Sequence, residues 1–343
     1  MKKIILAILA VLVAVAAFTA WNWLRDNRLP AFEGENVELY VYPDTPVQEV
    51  LDSIASQTTV KWPRRLAKVF EKHEVATYMS PGHYVIEPSF TATYVTRMLN
   101  NCWQTPVRVV LSGTLRRKPE IARKIANQLM LDSTAVINAM NDNAFLSRYG
   151  YDTTSVFAMM LPDTYEMYWT ASVEDFFDVQ TKAVDAFWTE ENLAKAKKLG
   201  LTRRQATIVA SIVSGETHYV PEMPKIAGVY LNRLRIGMKL QADPTIAYCY
   251  DYDLQRVLKR NLEIDSPYNT YRYGGLPPGP IYVPTKNTLN AVLNPDFGGG
   301  NLFFCADPSF NGSHRFARTY SQHLTNARAY QRALDQRNSS LAK

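Results

Sequence analysis

Cysteine is scarce in this sequence. Cys102, Cys249 and Cys305 are the only three in 343 residues, far apart and odd in number. No C-x-x-C pair exists, which argues against a zinc knuckle or a dithiol redox motif. Buried free thiols are the plain reading, and a bridge between two of them stays open if the chain folds in an oxidising compartment. H-E-x-x-H is absent as well. Glu216-x-His218 lacks the i, i+4 spacing that puts two ligands on one helical face, so no metal or other cofactor is expected. A clustered basic patch is also missing. The net charge of +6 is spread along the chain in runs no longer than Arg116-Arg117-Lys118 and Arg203-Arg204, so nucleic acid is not an expected partner. There is no internal repeat or low-complexity segment, and 47% hydrophobic residues suffice for a packed core.

What the sequence does have is one long apolar run near its start. Ile4–Leu24 carries no charge, and Thr19 and Asn22 are its polar side chains. A helix of about 20 residues crosses a hydrocarbon layer of about 30 Å. Trp21 and Trp23 fall where an interfacial belt belongs, and Lys2 and Lys3 before the run favour a cytoplasmic N-terminus. Arg25 and Arg28 keep that charge bias small. A cleaved signal peptide is the alternative, with Ala14, Ala16 and Ala17 near the cut, but the run exceeds the usual apolar core of about 7–15 residues. An uncleaved anchor over residues 1–24 is expected, and either reading exports the rest.

Residues 25–36, with Pro30 and Gly34, read as a linker. Val37–Pro43 alternates like a strand and stops at proline. Helical stretches follow at Val47–Ala55 and Arg64–Glu71, then a strand at His83–Ile86, a helix at Phe90–Asn100 and a strand at Pro106–Leu111. This β-α-α-β-α-β order makes 37–112 a small α+β subdomain. Residues 113–160 read as a helical connecting segment, with one helix from about Lys118 to Met140. The remaining domain, 161–343, begins at a turn around Leu161-Pro162-Asp163. It continues with a long helix, Val173–Leu199, and a more apolar one, Arg203–Ser214. Residues 262–300, rich in Pro, Gly, Asn and Tyr, form a loop region of the kind that carries function on a scaffold. A short strand at Ser313–Arg318 and a helix at Ser321–Arg337 close the chain. The fold class is α+β.

One carboxylate stands out. Ile208, Val209, Ile212 and Val213 share a helical face, and Glu216 extends that face near the helix end. A carboxyl group beside such a face loses hydration, which favours its neutral form and suits a general acid near neutral pH. Gly215 beside it permits a close approach. A solvated carboxylate at a frayed helix end fits the same spacing.

Several ordered segments carry a resemblance. ASIVSGET, KIAGVYLNRLRIGMKLQADPTIAY, SPYNTYRYGGLPPGPIYVPTKNTLNAVLNP and LFFCADPSFNGSHRFARTYSQH, preceded by LPDTYEM, closely resemble the endolytic murein transglycosylase, or YceG-like, family over Leu161–His323. VYPDTPVQEV and SPGHYVI match more loosely and are similar to the LysM-like subdomain that follows the anchor in that family. The resemblance implies an inner-membrane, single-pass protein with a lysozyme-like catalytic domain in the periplasm. Its substrate would be the glycan strands of peptidoglycan, cut between N-acetylmuramic acid and N-acetylglucosamine to leave 1,6-anhydromuramyl ends and to limit nascent strand length. Cell-wall synthesis proteins are further implied partners. The family's catalytic glutamate falls on Glu216. Many members carry another Glu two residues earlier, where this chain has Ser214. The chemistry agrees: a lytic transglycosylase uses one carboxyl group as acid and then base, whereas an ordinary glycosidase uses two. Asp243 or Glu222 as a second carboxylate keeps a hydrolytic muramidase open, and a non-catalytic wall-binding scaffold is the other alternative.

Supporting residues have plain readings too. Asn232 lies on the helix GVYLNRLRIGM and suits hydrogen bonding to a sugar or to active-site backbone; Arg233 and Arg235 beside it also fit a solvated face. Gln241 and Asp243 are expected to line the glycan groove with Thr245, although Asp243 or Thr245 is equally suited to cap a helix. Tyr268, Asn269 and Tyr271 mix aromatic faces with polar groups and are candidates for a sugar-binding wall near the anomeric centre.

Overall fold

The structure is a computed structural model that describes residues 2–341. Met1 and residues 342–343, the extreme ends of the expected anchor and catalytic domain, lie outside the described residues. Helices and strands are mixed, and the chain forms two compact units. One unit is built from the chain through Val109, with Gln128–Met130 and Glu166–Ala171. The other takes Val110–Asn127, Leu131–Tyr165 and everything from Ser172 onward.

The first unit contains α1 (Lys2–Asn27), β1 (Phe32–Glu33), β2 (Val37–Val41), α2 (Val47–Gln57), β3 (Thr59–Val60), α3 (Pro63–Lys72), α4 (Val75–Tyr78), β4 (Gly82–Ile86) and α5 (Ala92–Asn100). Strand β2 alternates as its sequence requires: Val37, Leu39 and Val41 face the core while Glu38 and Tyr40 stay exposed. It pairs antiparallel with β4, from Val37 opposite Ile86 to Val41 opposite Gly82. Val50 and Ile54 of α2, with Leu66, Val69 and Phe70 of α3, complete this core. Helix α1 is the one described helix long and apolar enough to cross a membrane, and its apolar window is unburied.

The segment expected as a linker is structured. Helix α1 runs on through Asn27, and Asp26 in its last turn is 4% exposed. Arg65 of α3 grips that carboxylate with two nitrogens, Nε to Oδ1 at 2.9 Å and Nη2 to Oδ2. Arg25 lies 5.7 Å over the Trp62 ring. Ala31 and Phe32 are buried, and β1 pairs with β3. The cause is a charge pair and an apolar pair too distant in sequence for a local pattern to reveal.

Strands β5 (Val107–Leu111) and β6 (Asp163–Met167) lie where the chain passes between units. The second unit holds α6 (Lys118–Ala126), α7 (Ser133–Asn141), α8 (Asn143–Ser147), α9 (Val173–Phe187), α10 (Glu190–Lys198), α11 (Arg203–Glu216), α12 (Met223–Arg235), α13 (Asp243–Cys249) and α14 (Lys286–Leu293). A hairpin of β7 (Phe303–Ala306) and β8 (His314–Ala317) and a final helix, α15 (Tyr320–Leu341), complete it. Two expected single helices are divided by local caps. Asp132 accepts from Thr134 N and starts α7, and Thr189 accepts from Asn192 N and starts α10. Helix α11 is the centre of this unit, packed by α12, α13 and α14. A Cβ on Gly228 of α12 would meet the Asp296 carbonyl oxygen at 2.0 Å, so only glycine admits that crossing chain.

Arg65→Met removes the main partner of the buried Asp26 carboxylate and is expected to cost about 3–5 kcal/mol. Amide hydrogen exchange should quicken in the last turn of α1 and in α3 and stay unchanged in the second unit. Unchanged exchange in α1 and α3 would show that the pair contributes nothing.

Candidate active site

Helix α11 starts with a capping box, in which the Thr202 side chain accepts from Gln205 N and the Gln205 side chain accepts from Thr202 N. Ile208, Val209, Ile212 and Val213 are buried along it, and Glu216 is its last residue. Two features of that position oppose ionisation. The carbonyl end of a helix carries partial negative charge. The apolar face also keeps most of the side chain from water, leaving it only partly exposed. Burial pushes the Glu216 carboxyl up to about 7, with the Asp243 charge adding to the rise and a Tyr230 hydrogen bond and the Arg233 charge opposing it.

Tyr230 and Arg233 reach the site from α12. Tyr230 is 1% exposed, and its Oη donates to Glu216 Oε1 at 2.5 Å. Burial, then the Glu216 charge, raises the Tyr230 hydroxyl far above its ordinary value, so it remains a donor. Arg233 is buried as well, rather than part of a solvated face. Its Nε donates to Leu302 O at 2.7 Å and its Nη1 to Leu240 O at 2.5 Å. The guanidinium thus joins the start of the β7 wall to the chain leading into α13.

Gly215 sets the opposite wall. A Cβ there would stand 2.6 Å from Pro244 Cβ and 2.8 Å from Tyr282 Cε2, so α13 approaches Glu216 this closely only because the residue is glycine. Gln241, in the left-handed region at φ 48°, turns the chain into α13 and donates its N–H to Thr270 O at 3.1 Å. Asp243 follows, and its Oδ1 accepts from Tyr271 Oη at 2.5 Å. Burial first, and then the Asp243 bond, hold the Tyr271 hydroxyl well above its ordinary value.

Two cavities meet at Glu216. The smaller, about 330 Å³, is lined by Glu216, Tyr230, Arg233, Gln241, Asp243 and Tyr271, and also by Phe303, Tyr320 and His323. The larger, about 540 Å³, includes Glu216, His218, Tyr219, Asp307, His314 and Tyr330. Of the residues expected from sequence, Glu216, Gln241, Asp243 and Tyr271 come together at the smaller cavity. Asn232, Thr245, Tyr268 and Asn269 line neither. Asn269 is fully buried, donating to Leu262 O and Ile264 O and accepting from Tyr271 N and Arg272 N, so it shapes the loop that delivers Tyr271. Thr245 shares a buried hydroxyl pair with Thr270 at 2.8 Å. Tyr268 packs on Tyr248 at 4.5 Å between ring centroids, and Asn232 donates to Asn301 O at 2.9 Å. Glu222 is bound to His314, which donates its backbone N–H at 3.0 Å and lies within 2.9 Å through Nδ1.

Sequence reasoning missed Tyr230 and left Arg233 open to a solvated face. They continue the stripe begun by Ile226 at intervals of four and three, a helical face that could have marked them as inward-pointing. Phe303, Tyr320 and His323 arrive from elements some 90–110 positions after Glu216; they lie in a segment that carries the family resemblance, but no periodicity marks them as facing the site.

Comparison with known proteins adds to this geometry. A model of the YceG-like family matches residues 39–329. A Bacillus subtilis protein named endolytic murein transglycosylase is 31% identical over 218 residues, covering 60% of this chain and 60% of its own length. A Streptococcus pneumoniae protein of the same name is 30% identical over 176 residues, covering 49% of this chain and 31% of its own. The chain therefore spans under two thirds of these relatives. The fold resembles the crystal structure of a YceG-like protein from Listeria monocytogenes, with a TM-score of 0.54 at 23% identity, covering 85% of this chain and 99% of that one.

A carboxyl group whose pKa is higher folded than unfolded stabilises the fold fully below its unfolded value, and that contribution is lost as pH rises through the folded value. Glu216→Gln removes the loss. Its melting temperature should therefore rise relative to wild type between pH 4.5 and pH 8; a difference independent of pH would contradict the burial of this group.

Proposed function

The chain belongs to the YceG-like family, and on that footing we propose that it is a membrane-anchored endolytic transglycosylase of peptidoglycan. The observation that carries the reading is Glu216: one partly buried carboxyl group, with a pKa of about 7, open to two cavities. In the first step Glu216 gives its proton to the glycosidic oxygen between N-acetylmuramic acid and N-acetylglucosamine. The C1–O4 bond breaks, and the new 4-hydroxyl leaves on N-acetylglucosamine. In the second step the muramyl C6 hydroxyl attacks C1, forming the C1–O6 bond, and its proton returns to Glu216. No water is consumed, and the product keeps a 1,6-anhydro end.

The neighbours divide the work. Tyr230 holds Oε1, which leaves Oε2 to pass the proton both ways. Asp243, oriented by Tyr271, supplies negative charge beside the oxocarbenium-like centre. A carboxyl group near 7 is present in both protonation states at neutral pH, as a group that is acid first and base second needs to be.

Helix α1 anchors the protein in the inner membrane, with the catalytic part in the periplasm beside its substrate. The uninterrupted helix, tied to the first unit through Asp26, supports a retained anchor over a cleaved signal. The first unit acts as a LysM-like module that holds glycan, and the second as a lysozyme-like catalytic domain. By cutting nascent strands the enzyme limits their length, in concert with cell-wall synthesis proteins. A hydrolytic muramidase is the second reading, favoured by Asp243 as a second carboxylate in the same cavity.

Digestion of purified peptidoglycan should yield muropeptides lacking one water relative to hydrolytic products, and Glu216→Gln should abolish them. Mass spectrometry showing mainly reducing ends would establish the muramidase instead. Intact strands with wild type and variant alike would leave a binding scaffold. Tyr230→Phe removes a donor that favours ionised Glu216, so its pKa rises. The alkaline limb of kcat/KM should move upward from about 7, and an unmoved limb would remove Tyr230 from the proton path.

A further inference from the structure

A strand cut at Glu216 must pass from one cavity to the other, because this carboxyl group faces both. It can do so in either of two directions. When the C1–O4 bond breaks, positive charge develops on the sugar that keeps C1, and a carboxylate on that side stabilises it. The smaller cavity holds Asp243, whose charge is felt at Glu216 and whose Oδ1 accepts from Tyr271 at 2.5 Å. In the larger cavity the corresponding side chain is Asp307, which is already committed. Its Oδ1 accepts from Ser309 N at 2.8 Å and its Oδ2 from Arg315 Nε at 2.8 Å. The cavities are therefore unequal in the property that the reaction needs.

Each cavity also carries an exposed aromatic ring of the kind that packs against a pyranose face. Tyr320, 61% exposed, opens α15 beside the smaller cavity, its ring centroid 5.8 Å from Phe303 and 6.1 Å from His323. Tyr219, 46% exposed, lines the larger one, just beyond the end of α11.

We propose that the strand has a fixed direction across the cleft. The muramyl sugar that becomes the anhydro end sits in the smaller cavity against Asp243, Tyr271 and Tyr320, and the leaving N-acetylglucosamine sits in the larger cavity against Tyr219. The non-reducing part of the strand thus lies on the α15 side and the reducing part on the Tyr219 side. This rests on the transglycosylase reading and adds subsite identity and polarity to it.

The test uses the full chain carrying Glu216→Gln, titrated calorimetrically in detergent with one probe, the disaccharide of N-acetylglucosamine and 1,6-anhydro-N-acetylmuramic acid. The probe carries the anhydro end that the reaction forms, so the cavity it matches is the one that receives the muramyl sugar. Adding Tyr320→Ala should weaken binding about tenfold, roughly the worth of one aromatic contact, and adding Tyr219→Ala should leave it unchanged. The reverse pattern, equal losses, or no loss with Tyr320→Ala would overturn the proposal, as would failure of the Glu216→Gln protein to bind the probe. Product analysis of wild type separates the two levels. Anhydro products with the reverse pattern would sink the direction alone, whereas reducing-end products would sink the transglycosylase reading itself.

Discussion

The site depends on keeping most of one carboxyl group from water at the carbonyl end of a helix. Four side chains of α11 bury its apolar face, and Glu216 is carried at the end of that face. Everything around it either maintains the exclusion or moderates it. Gly215 lets α13 close against the helix, and Arg233 ties the two walls together through Leu240 and Leu302. The Tyr230 hydroxyl limits the cost by offering the carboxyl one strong donor. Without that donor Oε1, the oxygen turned toward the buried Tyr230, would lose its hydrogen bond in a low-dielectric setting, which is costly. With more donors it would ionise fully and lose its proton before any substrate arrived. A value near 7 is the balance of these opposing effects.

Periodicity pointed to part of this and left Glu216 open to a solvated helix end, until the family resemblance singled it out. The face formed by Ile208, Val209, Ile212 and Val213 led to Glu216, and the alternation of β2 and the apolar run of α1 placed the first unit's main elements. The smaller cavity's inner wall was partly visible too, because Gln241, Asp243 and Tyr271 lie in short polar and aromatic motifs. What sequence could not show was the division of labour inside those motifs. Asn269 and Tyr271 are two residues apart, yet one is spent on four backbone contacts and the other reaches Asp243. Which of two neighbouring polar residues turns inward to hold a loop is decided by chain geometry, not by residue type.

The outer wall was illegible for a different reason. The β7–β8 hairpin and α15 contribute Phe303, Tyr320 and His323, and only tertiary folding brings these to Glu216. The same holds for Asp26 and Arg65, which join α1 to α3 within the first unit across 39 positions. Long-range polar pairs leave no periodic trace, so the expected linker became an ordered junction. The carboxylates on the two sides of Glu216 differ in their partners: Asp243 accepts from the neutral Tyr271 hydroxyl, whereas Asp307 is paired with the Arg315 guanidinium.

Titration of Glu216 itself tests this balance most directly, by carbon-13 NMR of the chain with selectively labelled glutamate side chains and Glu216→Gln used to assign the resonance. One carboxyl signal with a midpoint near 7 is expected. A midpoint at the ordinary glutamate value of about 4.3 would contradict it, because the group would then be solvated and ionised, and no longer poised to act as acid and then as base.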